Sequence, residues 1–170
     1  MISIAVSAQR TFTLAADLPA TTAYFRDLAR TIKDLPHLSL VKTHDWDQYR
    51  ILYSAAEAGV YHVALYCDIQ VQFDEVEQTV RVTPLTGIPP VPPKVTMSSL
   101  TGQGYYASQA VLQAVGTHTK VDYDVQITSQ IPKRLTLTLV PDQVVRRAIE
   151  QVVARRLQEI TDAFAAHASP

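Results

Sequence analysis

The sequence predicts an α+β domain in which a curved antiparallel sheet of about six or seven strands surrounds one long C-terminal helix. The last 29 residues, 142–170, place apolar side chains at steps of three or four and polar ones on the opposite side. Residues 38–130 instead alternate apolar and polar side chains with a period of two. The apolar stripe of the helix is Val145, Ile149, Val153, Leu157, Ile160 and Phe164. About 24 helical residues are roughly 36 Å long, so this stripe needs a long curved partner. Such a sheet leaves a hollow beneath the helix.

The N-terminal region predicts a strand followed by two short helices. The first strand runs from about Ser3 to Ala15, and Asp17 then provides a helix cap, with Pro19 in the first turn. The helical spacing continues to Pro36 with a break near Asp27, which divides it into two helices.

Antiparallel hairpins are predicted from residue 38 to residue 130, with turns near 44–47, 56–59, 74–78 and 115–117. In the fourth strand one face is apolar, and the other carries polar side chains that we expect to contact water. The polar residues are His62, Tyr66, Asp68, Gln70 and Gln72. The seventh strand repeats the alternation from Val121 to Ile127.

The segment from Thr86 to Gly104 breaks this pattern because its two Pro-Pro pairs cannot donate hydrogen bonds to a sheet. We expect a loop there, which either forms a lid over a binding site or is shortened by an edge strand from Lys94 to Leu100.

Composition predicts one domain spanning residues 1–170. The chain is 47% hydrophobic, enough for a substantial core. Its net charge of −1 predicts no overall electrostatic attraction to nucleic acid. The one cysteine is typical of a reducing, cytoplasmic environment. Residues 1–8 alternate like a strand rather than a signal peptide, and no apolar run reaches the roughly 18 to 20 residues of a transmembrane segment.

Three stretches carry a resemblance to a known family. The segment from Asp17 to Asp27 resembles its first helix, Leu35-Pro36-His37-Leu38 resembles the exit from its second, and Gly104 to Tyr123 resembles its late hairpin. Together with the element order, they resemble the helix-grip fold of the START, pollen-allergen and polyketide-cyclase (SRPBCC) superfamily. The resemblance implies a START-like domain with an apolar cavity between sheet and helix, which relatives use for lipids, sterols, polyketides, hormones or quinones.

No catalytic or metal-binding pattern accompanies this fold. The five histidines are dispersed, and we expect each to lie at the surface or in a turn. Cys67 lies among inward apolar residues, where burial disfavours the thiolate. The sequence lacks a nucleophile elbow, a phosphate loop and a dinucleotide fingerprint. It therefore predicts no metal and no cofactor and names no catalytic residue.

The predicted ligand-binding residues are those with inward parity on the strands and on the last helix. They are Tyr61, Val63, Leu65, Cys67, Tyr106, Ser108, Ala110, Tyr123, Ile149 and Val153. Tyrosine has an apolar body and a hydroxyl that needs a partner when buried, which suits a largely apolar pocket. Alternatively, these tyrosines simply fill the sheet interior.

The leading functional interpretation is a non-catalytic binder of a small hydrophobic molecule. One alternative is a cyclase- or dehydratase-type enzyme, in which Tyr61, Tyr106 or Tyr123 donates to an enolate-like oxygen and a histidine near the mouth acts as base. Another is a protein-interaction module that uses exposed arginines of the last helix. The sequence leaves ligand identity and oligomeric state open.

Overall fold

A computed structural model describes residues 1–57, 61–132 and 141–167 of the chain. The strands are β1 (Ile2–Leu14), β2 (Leu38–Asp45), β3 (Gln48–Glu57), β4 (Tyr61–Asp74), β5 (Thr79–Pro84), β6 (Lys94–Val95), β7 (Ser99–Val115) and β8 (His118–Ile131). The helices are α1 (Leu18–Arg26), α2 (Leu28–Thr31) and α3 (Asp142–His167), with a 3₁₀ turn at Ile32–Asp34. This α+β order confirms the predicted fold class. The predicted turn at 56–59 falls partly outside the described residues.

Side-chain caps fix the two short helices as predicted. The Asp17 carboxylate accepts a hydrogen bond from the backbone N–H of Ala20 at 2.9 Å, and Pro19 lies in the first turn. Asp27 ends α1 and caps α2 by accepting from the N–H of Arg30 at 3.1 Å. A cap at this position satisfies an otherwise unpaired helical N–H, so the break falls at Asp27.

The sheet is open, with the strand order β1-β8-β7-β5-β4-β3-β2 and with β6 paired to β7. Neighbouring strands are antiparallel except where residues 62–66 of β4 pair in parallel with residues 99–103 of β7. The loop predicted through Gly104 is therefore shortened, as the alternative with an edge strand from Lys94 expected, because β6 covers Lys94–Val95 and β7 begins at Ser99. The physical reason is that β5 has only six residues and pairs with the second half of β4. The first residues of β7 cover the remaining half.

The alternation of side chains gives the sheet an apolar inner face and an outer face. On β4, Leu65, Cys67 and Ile69 are buried inward and His62 is exposed on the outer face, as predicted. The prediction that Asp68 contacts water was wrong, since it is only 3% exposed. Alternation assigns a residue to a face but does not show what covers that face.

Helix α3 lies along β1 and also contacts the 3₁₀ turn. Val145, Val153, Leu157, Ile160 and Phe164 are buried, whereas Ile149, also expected to be buried, is half-buried. Among the described residues α3 has no comparably extensive contact with β2, β3 or β4. Arg10, on the inner face of β1, forms an ion pair with Asp162 of α3. None of the helices within the described ranges is both long and apolar enough to span a membrane.

Candidate functional site

A cluster of hydroxyl groups lies on the inner face where β7 and β8 pair. The Tyr106 and Tyr123 hydroxyls are 2.7 Å apart and buried, and Ser108 lies on the same face of β7 as Tyr106. Ala110 is the direct cross-strand neighbour of Tyr123. Burial raises the pKa of both tyrosines above the ordinary value. Both phenols therefore stay protonated and can donate one hydrogen bond each.

Aromatic rings close one side of this hydroxyl cluster. The Tyr123 ring stacks on Phe164 of α3 with centroids 5.1 Å apart, and Phe164 stacks on Phe25 of α1 at 5.0 Å. Tyr24 contacts Phe164 edge-on at 6.2 Å. These contacts fix the C-terminal part of α3 between α1 and the sheet. The tyrosines thus contribute to the packed core at this end, as the alternative interpretation of the sequence expected.

Cys67 and Leu65 pack against the backbone of β7. A Cβ atom added to Gly104 would lie 2.9 Å from the Cys67 sulfur and 3.3 Å from the Leu65 Cβ. Burial raises the pKa of the Cys67 thiol to about 12. The thiol is therefore protonated, which matches its expected packing role.

The inner face is less completely covered on β2 and at the ends of β3 and β4, whereas the residues between those ends, such as Ile51, Leu65 and Ile69, are buried. Several apolar side chains with inward parity are only half-buried there: Leu38, Leu40, Tyr49, Val63 and Phe73. Part of this apolar surface therefore stays in contact with solvent.

A cleft of about 790 Å³ opens beside α1 at the end of this less covered region. It is lined by Arg26, Trp46, Asp47, Tyr49, Val71, Gln72, Phe73, Asp74, Glu75 and Arg81. The Arg26 guanidinium lies 5.1 Å from the centre of the Phe73 ring, and the Tyr49 hydroxyl donates to the Trp46 carbonyl at 2.8 Å. Six of its ten lining residues are polar or charged, so the cleft combines a few aromatic and apolar side chains with a largely polar surround.

The structure places the predicted site residues on one face but in separate groups. Tyr106, Ser108, Ala110 and Tyr123 come together on β7 and β8. The others are Val63, Leu65 and Cys67 on β4 and Ile149 and Val153 on α3. None of them lines the cleft of 790 Å³. The side chain of Tyr61 lies outside the described residues.

Sequence reasoning missed a charged network at the β2 side of α3. The His37 Nε2 lies 2.8 Å from a Glu159 carboxylate oxygen, and Arg156 donates to the same oxygen at 2.9 Å. Arg156 also donates to the Ala56 carbonyl at 3.5 Å. The expectation of a solvated arginine was wrong for Arg156, whose side chain is only 19% exposed. The spacing of Arg156 and Glu159 was a usable signal, since residues three apart meet on a helix.

The expectation that every histidine lies at the surface or in a turn was wrong at His44 on β2, whereas His37 lies in the turn before β2. His37 is half-buried against Glu159, and its backbone φ of 64° lies in the left-handed region. His44 is half-buried with its Nε2 3.0 Å from Asp68. Within the ranges that the structure describes, no three His, Cys, Asp or Glu side chains converge as metal ligands.

Comparison with known proteins rests on solved structures, since no protein-family model and no curated protein matches the chain. The Zhui aromatase/cyclase from Streptomyces sp. R1128 matches with a TM-score of 0.56 at 12% identity, covering 96% of this chain and 93% of that one. A START superfamily protein from Mycobacterium smegmatis matches with a TM-score of 0.55 at 12% identity, covering 95% and 96%. A protein from Deinococcus radiodurans matches with a TM-score of 0.55 at 14% identity, covering 95% of each chain. This chain therefore has the helix-grip fold of the START and aromatase/cyclase structures, as its sequence resemblance predicted.

Proposed function

We propose that this protein binds a small, mainly hydrophobic molecule between the inner face of its sheet and α3. The observation that carries the proposal is the half-buried apolar surface of β2 and of the ends of β3 and β4. Removing apolar surface from water contributes roughly 25 cal/mol per Å². A ligand lying on these strands would gain this contribution without breaking the core around β1 and β8.

The dimensions and chemistry of the cleft beside α1 support the same proposal. Its volume of about 790 Å³ lies within the range of about 300 to 1,000 Å³ that is typical of small-molecule sites. Tyr49, Val71 and Phe73 provide apolar contact, and two arginines and three carboxylates of the lining would face the polar end of a ligand. A lipid, polyketide, isoprenoid or quinone-like molecule fits these features. The names of the matching structures, a START superfamily protein and an aromatase/cyclase, agree with this ligand class.

Filling the open part of the inner face tests the proposal. Val63 is half-buried on this face, whereas Val41 is 48% exposed at the β-bulge of the edge strand β2. We expect Val63→Trp to abolish the fluorescence increase of an apolar naphthalene-sulfonate probe, because the indole occupies the space of the ligand. Val41→Trp is the matched control and should bind the probe like the unaltered protein.

Thermal denaturation of both variants separates a filled site from a damaged fold. The proposal requires that Val63→Trp still melt cooperatively. Equal probe binding by the two tryptophan variants, or no probe binding by the unaltered protein, would refute a ligand site on this face.

A cyclase- or dehydratase-type reaction is the second candidate function, and the His37–Glu159 pair favours it. Glu159 holds one ring nitrogen of His37, which orients the imidazole and leaves Nδ1 as the candidate proton acceptor. The His37 ring lies 6.3 Å from the ring of the inner-face residue Tyr53. The hydroxyls of Tyr106 and Tyr123 bind each other, so they are less suited to act on a substrate.

Turnover of a linear poly-β-ketone thioester, followed by mass spectrometry, tests this second candidate. His37→Gln should abolish cyclised or dehydrated product, and His118→Gln, at the exposed start of β8, should not. If the apolar probe binds but no turnover is detected, the binding function would be retained and an enzymatic function would be excluded for this substrate class.

A further inference from the structure

The proline-rich segment crosses the outer face of the sheet with a regular pattern of exposure. We call residues 88–93 the proline ridge. Ile88 and Val91 are half-buried, whereas Pro89, Pro90, Pro92 and Pro93 are exposed. Burial therefore recurs at every third residue, and both Pro-Pro pairs face the solvent.

A period of three is the repeat of the polyproline II helix. Proline fixes its own φ near −65°, and the residue before a proline is confined to extended conformations. All six residues in the ridge are prolines or directly precede one, as the order Ile-Pro-Pro-Val-Pro-Pro shows. Covalent geometry thus dictates the extended form that the burial pattern indicates.

Two side chains hold the ridge on the sheet. Arg50 donates from Nη2 to the Pro89 carbonyl at 3.2 Å, and the Val91 N–H donates to the Gln103 side-chain oxygen at 3.0 Å. Both side chains also bind the buried carboxylate of Asp68: Arg50 donates at 2.7 and 2.8 Å, and Gln103 at 3.3 Å. The ridge is therefore fastened to the sheet through the Pro89 carbonyl and the Val91 N–H.

The contacts of Asp68 explain why Arg50 and Gln103, which hold the proline ridge, are themselves fixed in place. Burial alone would raise the pKa of Asp68, but hydrogen bonds from Arg50, His44 and Gln103 lower it below the ordinary value. The carboxylate stays charged beneath the ridge and holds both supporting side chains in place. The segment predicted as a lid thus has its described side-chain contacts on the outer face, away from the proposed ligand.

A positive charge follows the ridge directly. Lys94 is exposed at the start of β6, and the sequence from Pro89 to Lys94 reads Pro-Pro-Val-Pro-Pro-Lys. Grooves that recognise polyproline II ligands present aromatic side chains to successive proline pairs, and the rigid ligand loses little entropy on binding. A carboxylate at the groove's end would complement Lys94.

We infer that the proline ridge and Lys94 form a docking surface for a protein domain with an aromatic, acid-rimmed groove of the SH3 type. The folded chain presents the ridge already extended and fixed, so binding does not have to order it. The surface lies on the face opposite the proposed ligand site. The inference therefore stands independently of the proposed function.

Binding of the full chain to an array of purified SH3 domains, measured by biolayer interferometry, tests the inference. We expect at least one domain to bind, and Pro89→Ala combined with Pro92→Ala to weaken that binding by at least about tenfold. Val76→Ala, which alters an apolar residue 94% exposed on the β4–β5 turn, is the matched control and should change nothing. Thermal melting should show that all variants remain folded, since the altered side chains are exposed.

A charge reversal tests the role of the lysine separately. Lys94→Glu should weaken binding by several-fold and reduce its salt dependence, whereas Lys33→Glu, at the exposed 3₁₀ turn, should not. The inference is overturned if no SH3 domain binds, or if the double proline variant binds as tightly as the unaltered chain. It is equally overturned if the proline variants abolish self-association of this chain in sedimentation experiments, which would assign the ridge to a second copy.

Discussion

At the residue scale, Gly104 decides how closely β7 approaches the inner side chains of β4. A Cβ at this position would lie 2.9 Å from the Cys67 sulfur, a separation that packed atoms do not adopt. The neighbouring Gly102 differs, because its Cβ would meet Pro93 only at an ordinary 3.8 Å. The two glycines therefore provide a matched pair.

We predict that Gly104→Ala lowers the free energy of unfolding by about 1 to 3 kcal/mol, the usual cost of an added methyl group in a packed core. Adding Cys67→Ala to that variant should restore part of the loss, because it removes the sulfur that the new methyl group meets. Urea denaturation of both single variants and the double variant gives the coupling energy. Strictly additive losses, or an equal loss in Gly102→Ala, would contradict this account.

Sequence alternation predicted individual residues well where burial follows from the strand alone. Cys67, Leu65 and His62 lie on the expected faces. Asp68 does not contact water as expected, because side chains from β2, β3 and β7 bind its carboxylate. A period of two encodes the face of a residue, and only the tertiary structure shows what lies above that face.

At the scale of elements, α3 is held by different forces on its two sides. Its apolar side chains pack along β1, and on the other side Glu159 binds His37 while Arg156 reaches the carbonyl of Ala56. Polar contacts thus connect α3 to the part of the sheet where the inner face is open. These contacts depend on the charge of Glu159.

We predict that Glu159→Gln removes a pH-dependent part of the stability. Hydrogen bonds from Arg156 and His37 lower the pKa of Glu159 from its ordinary 4.5 to about 2. Because the folded pKa is depressed, the stabilisation is full above about pH 4.5 and is lost as the pH falls towards about 2. The difference in unfolding free energy between the unaltered chain and Glu159→Gln should therefore shrink across this window.

Urea denaturation at steps between about pH 2 and 5.5 measures this difference. The Glu159 side chain is 35% exposed, so solvent screening keeps the effect small. Glu75→Gln, on an exposed turn, serves as the control for loss of a surface charge. A difference in unfolding free energy that stays constant over this whole pH range would show that the ion pair does not contribute to stability.

Elements with local signals were predictable, and elements formed by distant pairing were not. The caps at Asp17 and Asp27 lie within three residues of the N–H groups that they bind, so the sequence contains the whole signal. The start of β7 depends on parallel pairing with β4, and Gly102 and Gly104 weaken its strand propensity. The first part of β7 therefore resembled a loop in the sequence.

At the scale of the whole molecule, the helix grip is asymmetric. The sheet is open with β1 and β2 at its edges, and α3 follows β1. Helical and strand periods predicted that the helix faces the sheet, but they do not encode which strands it covers. For this reason the predicted inward residues include Tyr106 and Tyr123 in the packed part, whereas the open cleft is lined by other residues.

The last prediction concerns the dependence of the whole fold on α3. Its buried apolar side chains are Val145, Val153, Leu157, Ile160 and Phe164. Burial of each contributes roughly 1.5 to 3 kcal/mol, which together is about 7 to 15 kcal/mol. The total stability of a domain is only about 5 to 15 kcal/mol. A chain that ends at residue 141 should therefore lose its cooperative thermal transition, and circular dichroism of this truncated chain beside the full chain measures it. A cooperative melt of the truncated chain would show that the sheet is stable without its helix, and the grip would then serve the ligand site rather than the fold.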